Sequence, residues 1–269
     1  YYLPLLSGEK SAAFAMTEPD AGSDVLAMRG TAEKTADGWH IRANKMYITG
    51  APFSDYMLVV VYTDRSARRG GLSLFVVDSN LPGIEIRKLD KLGHRSMETG
   101  AVFFDCTVPE SALIGEPGRG MDYVMSVLEE GRILHAARSL GVARAALDDA
   151  QEYARLRVAF GKSINQYQAI QHRLAQMLVE VSNAQLQVRH AALKFDAGLP
   201  CHLEASIAKV VASEAAVCVP DHAMRVVAGA GYLNEMPIQR HFRDARLYPI
   251  TEGTTEIQLR TIARIAGFS

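Results

Sequence analysis

The spacing of the apolar residues changes once along this chain, near residue 120, and that change limits the possible fold more than any single motif does. Before it, apolar and β-branched residues come in short runs: His40 to Ile48, Tyr56 to Tyr62, Leu72 to Val77, Ile84 to Ile86 and Ala101 to Phe104. Turn formers separate them at Asp37-Gly38, Gly50-Ala51-Pro52, Arg69-Gly70-Gly71 and Pro82-Gly83. Short strands punctuated in this way predict an antiparallel β-sandwich or barrel. After it, apolar residues recur at helical spacing, beginning with Val124, Leu128, Ile133 and Leu140 and continuing through Val142, Leu147 and Ala150. A second long helix is predicted from Asn165 to Phe195, closed by Gly198 and Pro200. A third covers His202 to Val227, and Pro220 should start, kink or break it. A last helix should begin near Thr254 or Thr255 and run to Ile265. Helices with one apolar stripe and short connections predict a four-helix bundle. The expected class is therefore α+β, with a β-domain over 1–117 and a helical bundle over 118–269. The segment Gly115-Glu116-Pro117-Gly118-Arg119-Gly120 is the natural hinge.

With 269 residues, 48% hydrophobic and 22% charged, and a mean hydropathy near zero, the composition is that of an ordinary globular chain of one or two domains. A net charge of -1, with no long run of like charge, gives no support for nucleic acid or an anionic membrane surface as partner. The most apolar long stretch, Ala205 to Tyr232, is interrupted by Lys209, Glu214, Asp221 and Arg225, so no membrane span is predicted. The start carries no charged-then-apolar signal peptide. It reads Tyr1-Tyr2-Leu3-Pro4 without an initiator Met, which points to sequence missing upstream. Cys106, Cys201 and Cys218 are odd in number and far apart, which suits a reducing compartment and free core thiols. The histidines show no ligand spacing, and no metal site is expected.

Several stretches carry candidate chemistry. In Thr17-Glu18-Pro19-Asp20-Ala21-Gly22-Ser23-Asp24, Pro19 and Gly22 make a compact turn, and Thr17 and Ser23 place hydroxyls near exposed backbone N–H groups. Such a loop can hold the polar edge of a ring and a phosphate oxygen, and it reads equally well as a plain capped turn. Tyr47-Ile48-Thr49 offers an aromatic face and a hydroxyl, or simply an alternating strand end. In Arg157-x-x-Phe160-Gly161-Lys162, an arginine fork suits two phosphates. The same residues also suit a helix C-terminus, with Arg favouring the dipole and Gly161 as cap. Ala228-Gly229-Ala230-Gly231 follows a helix rather than a strand, so it is no dinucleotide fingerprint. In Thr251-Glu252-Gly253-Thr254-Thr255-Glu256-Ile257-Gln258, Glu252 stands just before a helix start, where backbone N–H groups lack partners. A capping carboxylate is the commoner explanation of such a Glu.

Three of these stretches, the Thr17, Arg157 and Thr251 segments, together resemble the acyl-CoA dehydrogenase family in order and spacing, from about Leu3 to the C-terminus. The family's N-terminal helical domain has no counterpart in the sequence. The resemblance implies FAD as cofactor, contacted by Phe14, Met16, Thr17, Gly22, Ser23, Tyr47, Thr49, Thr254 and Glu256. It also implies that Arg157, Phe160, Arg225 and Gly229 reach the FAD of a partner chain, hence a homodimer or homotetramer. Three positions depart from the family pattern: Tyr47 replaces the usual Trp, Arg225 replaces a Gln, and Ala228 replaces the first of two paired glycines. Ser23, Glu129, Arg132, Thr251 and Gly253 would face the acyl-CoA substrate, with Thr251 where many relatives have an aromatic residue. Glu252 would be the base that removes the pro-R α-hydrogen, while the β-hydrogen leaves as hydride to flavin N5. Some relatives carry the base on the first long helix, just before an Arg. Here that place is Gly131, before Arg132, which cannot serve. Glu129 and Glu130 read as solvated or CoA-facing charges, and Arg243-Asp244 as a structural ion pair. An electron-transfer flavoprotein would accept the electrons, or oxygen in an oxidase relative. The expected location is the cytoplasm of a bacterium or the mitochondrial matrix of a eukaryote. A rival expectation is a non-catalytic or truncated flavin-binding subunit of a related assembly.

Overall fold

The structure is a computed structural model and describes Tyr1–Phe268. The chain forms two compact units, one of Tyr1–Ser126 and one from Val127 onward. None of the described helices is long and apolar enough to cross a membrane.

The first unit opens with a short helix α1 (Tyr2–Leu6) and continues as seven strands. These are β1 (Ala12–Ala15), β2 (Thr31–Thr35), β3 (Gly38–Thr49), β4 (Tyr56–Tyr62), β5 (Leu72–Asp78), β6 (Ile84–Leu89) and β7 (Thr99–Val108). They form one sheet in the order β1-β4-β2-β3-β7-β6, with β5 paired to β4. Every strand run expected from the sequence is present, and most pairings are antiparallel. The pairings of β1 and of β2 with β4 are parallel, so the sheet is mixed. These two strands are also the ones without a strong sequence signal. β1 is Ala-Ala-Phe-Ala, and β2 is Thr-Ala-Glu-Lys-Thr with only Ala32 fully buried. Alternation along the central strands sends Ile41, Met57, Val59, Val61, Phe75, Val77, Val102 and Phe104 into one core. Each such side chain contributes about 1.5–3 kcal/mol of burial. The β2–β3 hairpin needs Gly38 at φ +132°, because a Cβ there would lie 2.1 Å from the Val108 carbonyl oxygen.

Helix α2 (Gly120–Leu156) starts at the end of the first unit and runs through the second. It is followed by a two-residue hairpin, β8 (Val158–Ala159) with β9 (Lys162–Ser163), and by α3 (Gln168–Asp196). Then come α4 (His202–Val227), α5 (Pro237–Ala245) and α6 (Thr255–Ile265). The four expected helices are α2, α3, α4 and α6. The added α5 is too short to register as a period, although Pro237 at its first turn is a helix-start signal. Alanines dominate the packing of α3 on α4: Ala184 and Ala191 meet a cluster containing Ala205, Ala208, Ala212 and Ala215. Small side chains allow the backbones to approach closely.

Pro220 does not end its helix. α4 continues to Val227 with Pro220 fully inside it, flanked by buried Val219, Ala223, Val226 and Val227. An interior proline costs about 3 kcal/mol, and burial of the apolar residues around it offsets that cost. The helix then stops at Ala228, held at φ +56°, ψ -137°, a region in which L-residues are strained. Ala228→Gly should therefore stabilise the chain by about 0.5–1 kcal/mol, read as a higher thermal midpoint. A lower midpoint would show that Ala228 is relaxed where it stands.

Candidate functional site

In the first unit, the Thr17 motif folds as a tight turn. Glu18 and Ala21 exchange backbone hydrogen bonds of 2.9 and 3.2 Å around Pro19-Asp20. Gly22 and Ser23 follow it, exposed, and among the described residues their N–H groups donate to no protein acceptor. The loop is bound to the end of β3 by the Met46 N–H donating to the Thr17 carbonyl at 2.9 Å. The next residue, Tyr47, sits at a register shift between Lys45 and Ile48, at φ +62° and 65% exposed. Thr49 lies outward on the same strand end, with its hydroxyl 3.5 Å from that of Thr99. On β1, Ala13 and Ala15 point into the core and Phe14 points out. Of the residues of this unit read as flavin contacts, Phe14, Gly22, Ser23, Tyr47 and Thr49 are thus exposed around one turn and one strand end, and Met16 and Thr17 are half-buried beside them.

A buried ion pair holds this arrangement, and the motif reading did not find it. Lys45, with no exposed surface, donates to Glu18 at 2.8 Å, to the Met16 carbonyl at 3.0 Å and to the Val60 carbonyl at 2.6 Å. Glu18 in turn accepts from the backbone N–H groups of Arg29 at 2.6 Å and Gly30 at 3.0 Å. Burial pulls the Lys45 ammonium below its ordinary pKa, and the adjacent Glu18 opposes that pull. The signal was available: Lys45 has the parity of Ile41 in β3, two alternations away from a core residue. Removing one partner of such a pair leaves a lone buried charge, which costs about 3–5 kcal/mol.

In the second unit, the Arg157 motif is a hairpin tip. Phe160 and Gly161 both have positive φ, +49° and +82°, and connect β8 to β9 as a two-residue turn. Gly161 is therefore not a helix cap, since α2 ends at Leu156. Phe160 is 96% exposed, braced from below by the Tyr167 hydroxyl, which donates to the Ala159 carbonyl at 2.9 Å. Arg157 is exposed near the same tip. Arg225 is exposed and paired with Asp221 at 2.9 Å, one helical turn back. Gly229 is exposed beside Ala228.

The Glu252 segment is the most constrained loop of this unit. Glu252 has φ +55° and Gly253 φ +83°. The Gln258 amide donates to the Glu252 carbonyl at 2.9 Å and to the Gly253 carbonyl at 3.4 Å. A Cβ on Gly253 would lie 2.6 Å from that amide nitrogen, so glycine is required. From α4, the fully buried Lys209 donates to the Gly253 carbonyl at 2.8 Å and to the Pro249 carbonyl at 3.4 Å. His135 on α2 reaches the Tyr248 carbonyl at 3.1 Å and the Thr251 hydroxyl at 3.3 Å. Thr254 caps α6 by accepting from the Ile257 N–H at 3.3 Å, and Glu256 is exposed in the first turn. The Glu252 side chain itself is exposed. Its carboxylate lies over Gly131 of α2, where a Cβ would sit 3.4 Å from Oε2. Among the described residues the Glu252 N–H donates to no protein acceptor.

Beside Gly131, Glu130 is exposed, whereas Glu129 is half-buried and engaged. Glu129 bonds His202 at 2.9 Å and accepts from the Cys201 thiol at 3.6 Å. Arg132 is buried, with one guanidinium nitrogen 3.4 Å from His202 and its Nε without a hydrogen-bond partner in the structure. Burial lowers the Arg132 pKa, and the charges of Glu129 and Glu252 raise it. Arg243 donates to Gln239, one turn back on α5. No cluster of metal-ligating side chains occurs among the described residues. Lys45→Met should lower the unfolding free energy by about 3–5 kcal/mol, and adding Glu18→Gln should recover part of that loss. Strictly additive losses in urea titrations would show that the two groups do not interact.

Residues 13–107 match the model of the acyl-CoA dehydrogenase middle domain, and residues 118–267 that of the acyl-CoA dehydrogenase C-terminal domain. The mitochondrial short-chain specific acyl-CoA dehydrogenase of Bos taurus is 42% identical over 262 residues, or 97% of this chain. The chain spans 64% of the length of that relative. A glutaryl-coenzyme A dehydrogenase solved as its glutaryl-CoA complex superimposes with a TM-score of 0.96 at 38% identity, over 100% of this chain and 69% of the other. PigA, solved with FAD and proline, gives 0.94 at 30% identity, over 99% and 70%. Both domain models match in sequence order, and the chain belongs to the acyl-CoA dehydrogenase family.

Proposed function

We propose that this chain holds FAD and carries out the α,β-dehydrogenation of an acyl-CoA thioester, with Glu252 as the base. The observation that carries this reading is the Glu252 loop. Its backbone is fixed in a left-handed conformation, its N–H is left without a protein acceptor, and its carboxylate lies over a glycine. Such an N–H can donate to a thioester carbonyl and stabilise the enolate-like charge that forms as the carboxylate removes the α-proton. Because donor and base belong to one residue, fixing its backbone orients both at once.

The residues of the first unit suit a flavin. Tyr47 and Phe14 offer exposed aromatic faces, Thr17 and Ser23 offer hydroxyls, and Gly22 and Ser23 offer unengaged N–H groups of the kind that bind phosphate oxygens. Bound FAD supplies the acceptor for the β-hydride. Arg157, Phe160, Arg225 and Gly229, all exposed, would serve the FAD of a partner chain, and Thr254 and Glu256 would complete the cofactor contacts. Ser23, Glu129, Arg132, Thr251 and Gly253 would bound the substrate, with half-buried Glu129 and buried Arg132 both adjoining His202. An electron-transfer flavoprotein is the proposed electron acceptor. The mitochondrial relative supports a mitochondrial location in a eukaryote, with the matrix as the proposed compartment there and the cytoplasm in a bacterium. Self-association into a dimer or tetramer is supported by Val179, Leu186 and Leu193. These three sit exposed at seven-residue spacing along α3.

The full-length protein should be yellow and should bleach when an acyl-CoA is added without oxygen. Glu252→Gln should keep its flavin and lose about a thousandfold in the rate of bleaching. A yellow protein that no acyl thioester bleaches would instead favour a non-catalytic flavin-binding subunit. Leu186→Glu should shift the assembly toward monomer in light scattering, and an unchanged mass would place the interface elsewhere.

A further inference from the structure

Lys209 is a charged residue on the buried face of α4, in register with Ala205, Ala212 and Ala216 and with no exposed surface. No carboxylate lies within bonding distance of it among the described residues. Its hydrogen bonds go to backbone carbonyls, those of Gly253 at 2.8 Å and Pro249 at 3.4 Å. These two carbonyls bracket Glu252, and Gln258 holds the carbonyl of Glu252 itself. Three carbonyls of the loop are thus tied toward the helices. Among the described residues the Glu252 N–H has no protein acceptor, and its carboxylate lies over Gly131.

We propose that Lys209 is the positioning residue of the Glu252 loop: its buried ammonium holds the flanking carbonyls so that Glu252 keeps its left-handed backbone, unpaired N–H and carboxylate placement. This rests on the reading of Glu252 as the base and deepens it. An apolar residue would fill the space but leave the Gly253 carbonyl with only the longer Gln258 contact. The charged groups acting on Lys209 come from every side of it: Glu214 on its own helix, Glu252 in the loop, Glu256 on α6 and Arg132 on α2. Burial lowers its pKa to about 8, the three glutamates opposing and Arg132 assisting. Between about 8 and the free value of 10.5 the unfolded chain binds the extra proton, so the contribution of Lys209 to global stability rises with pH across that window. Over the same window a neutral amine replaces the ammonium, and its grip on the carbonyls weakens.

The test uses the full-length holoprotein and Lys209→Met, Lys209→Arg and Glu252→Gln. Amide hydrogen exchange reports the loop without reference to activity. In Lys209→Met, the Thr251 and Thr255 amides, which donate to Leu247 and Pro249, should exchange at least tenfold faster, while amides in the middle of α3 keep their protection. Anaerobic bleaching at saturating acyl-CoA should slow ten- to a hundredfold in the same variant. Flavin content should be retained and the half-saturating substrate concentration should change much less. In the unaltered protein, loop protection corrected for intrinsic exchange should fall above pH 8. In Lys209→Arg, whose guanidinium does not titrate there, it should not. Unchanged loop exchange and bleaching in Lys209→Met overturn the proposal. Should that variant fail to fold, a loop titration in Lys209→Arg identical to that of the unaltered protein overturns it. Normal bleaching that survives Glu252→Gln counts against Glu252 as base, and loosened loop amides in Lys209→Met would still establish the clamp.

Discussion

An ammonium group that is wholly removed from water has three N–H bonds to satisfy, and every oxygen it finds becomes a fixed point of the fold. Among the described residues each unit contains one such group. Lys45 gathers the carbonyls of Met16 and Val60 and the Glu18 carboxylate, and Lys209 gathers the carbonyls of Gly253 and Pro249. In both units the tethered loop adjoins a residue with a left-handed backbone, Tyr47 in the first and Glu252 in the second. The loops lie on the surface, but their carbonyls are anchored to a strand or helix interior. The atoms left facing outward are aromatic faces, hydroxyls and unpaired N–H groups.

Backbone strain has a matching distribution. Among the described residues, six other than glycine have positive φ, and three of them, Tyr47, Phe160 and Glu252, belong to motifs assigned to flavin or substrate. Strained conformations persist only where surrounding contacts over-determine them. For Tyr47 those contacts are the β3–β7 register shift and the Lys45 anchor, and for Glu252 they are Lys209 and Gln258. Phe160 relies on the hairpin geometry and on Tyr167 below it. Ala228 is strained outside this set, where the family pattern has glycine, and it marks a departure rather than a device.

The legibility of the sequence followed the strength of each local signal. β4 is a continuous apolar run, β5 is one interrupted only by Ser73 before its terminal Asp78, and α3 and α4 carry long apolar periods, so their extents were readable from composition and spacing. β1 and β2 were not, because an alanine-rich strand and a polar one owe their conformation to hydrogen bonds with β4. Pro220 neither starts nor breaks α4, because its cost is local while the burial that offsets it is supplied by neighbouring helices. Gly161 misled because a cap and a hairpin turn ask for the same left-handed residue.

The sequence by itself determined the division into a β part and a helical part and the family to which those parts belong, and it singled out Glu252 as the carboxylate proposed as base. These depend on residue types and intervals along one dimension. Only the tertiary structure decided what holds the backbone of the Glu252 loop in place. Lys209 and Gln258 approach the loop from helices on either side of it in sequence, 43 and 6 residues away from Glu252. A lysine in a helix reads as a solvated charge until packing shows which face is buried. That depends on contacts between distant segments, which no local pattern encodes.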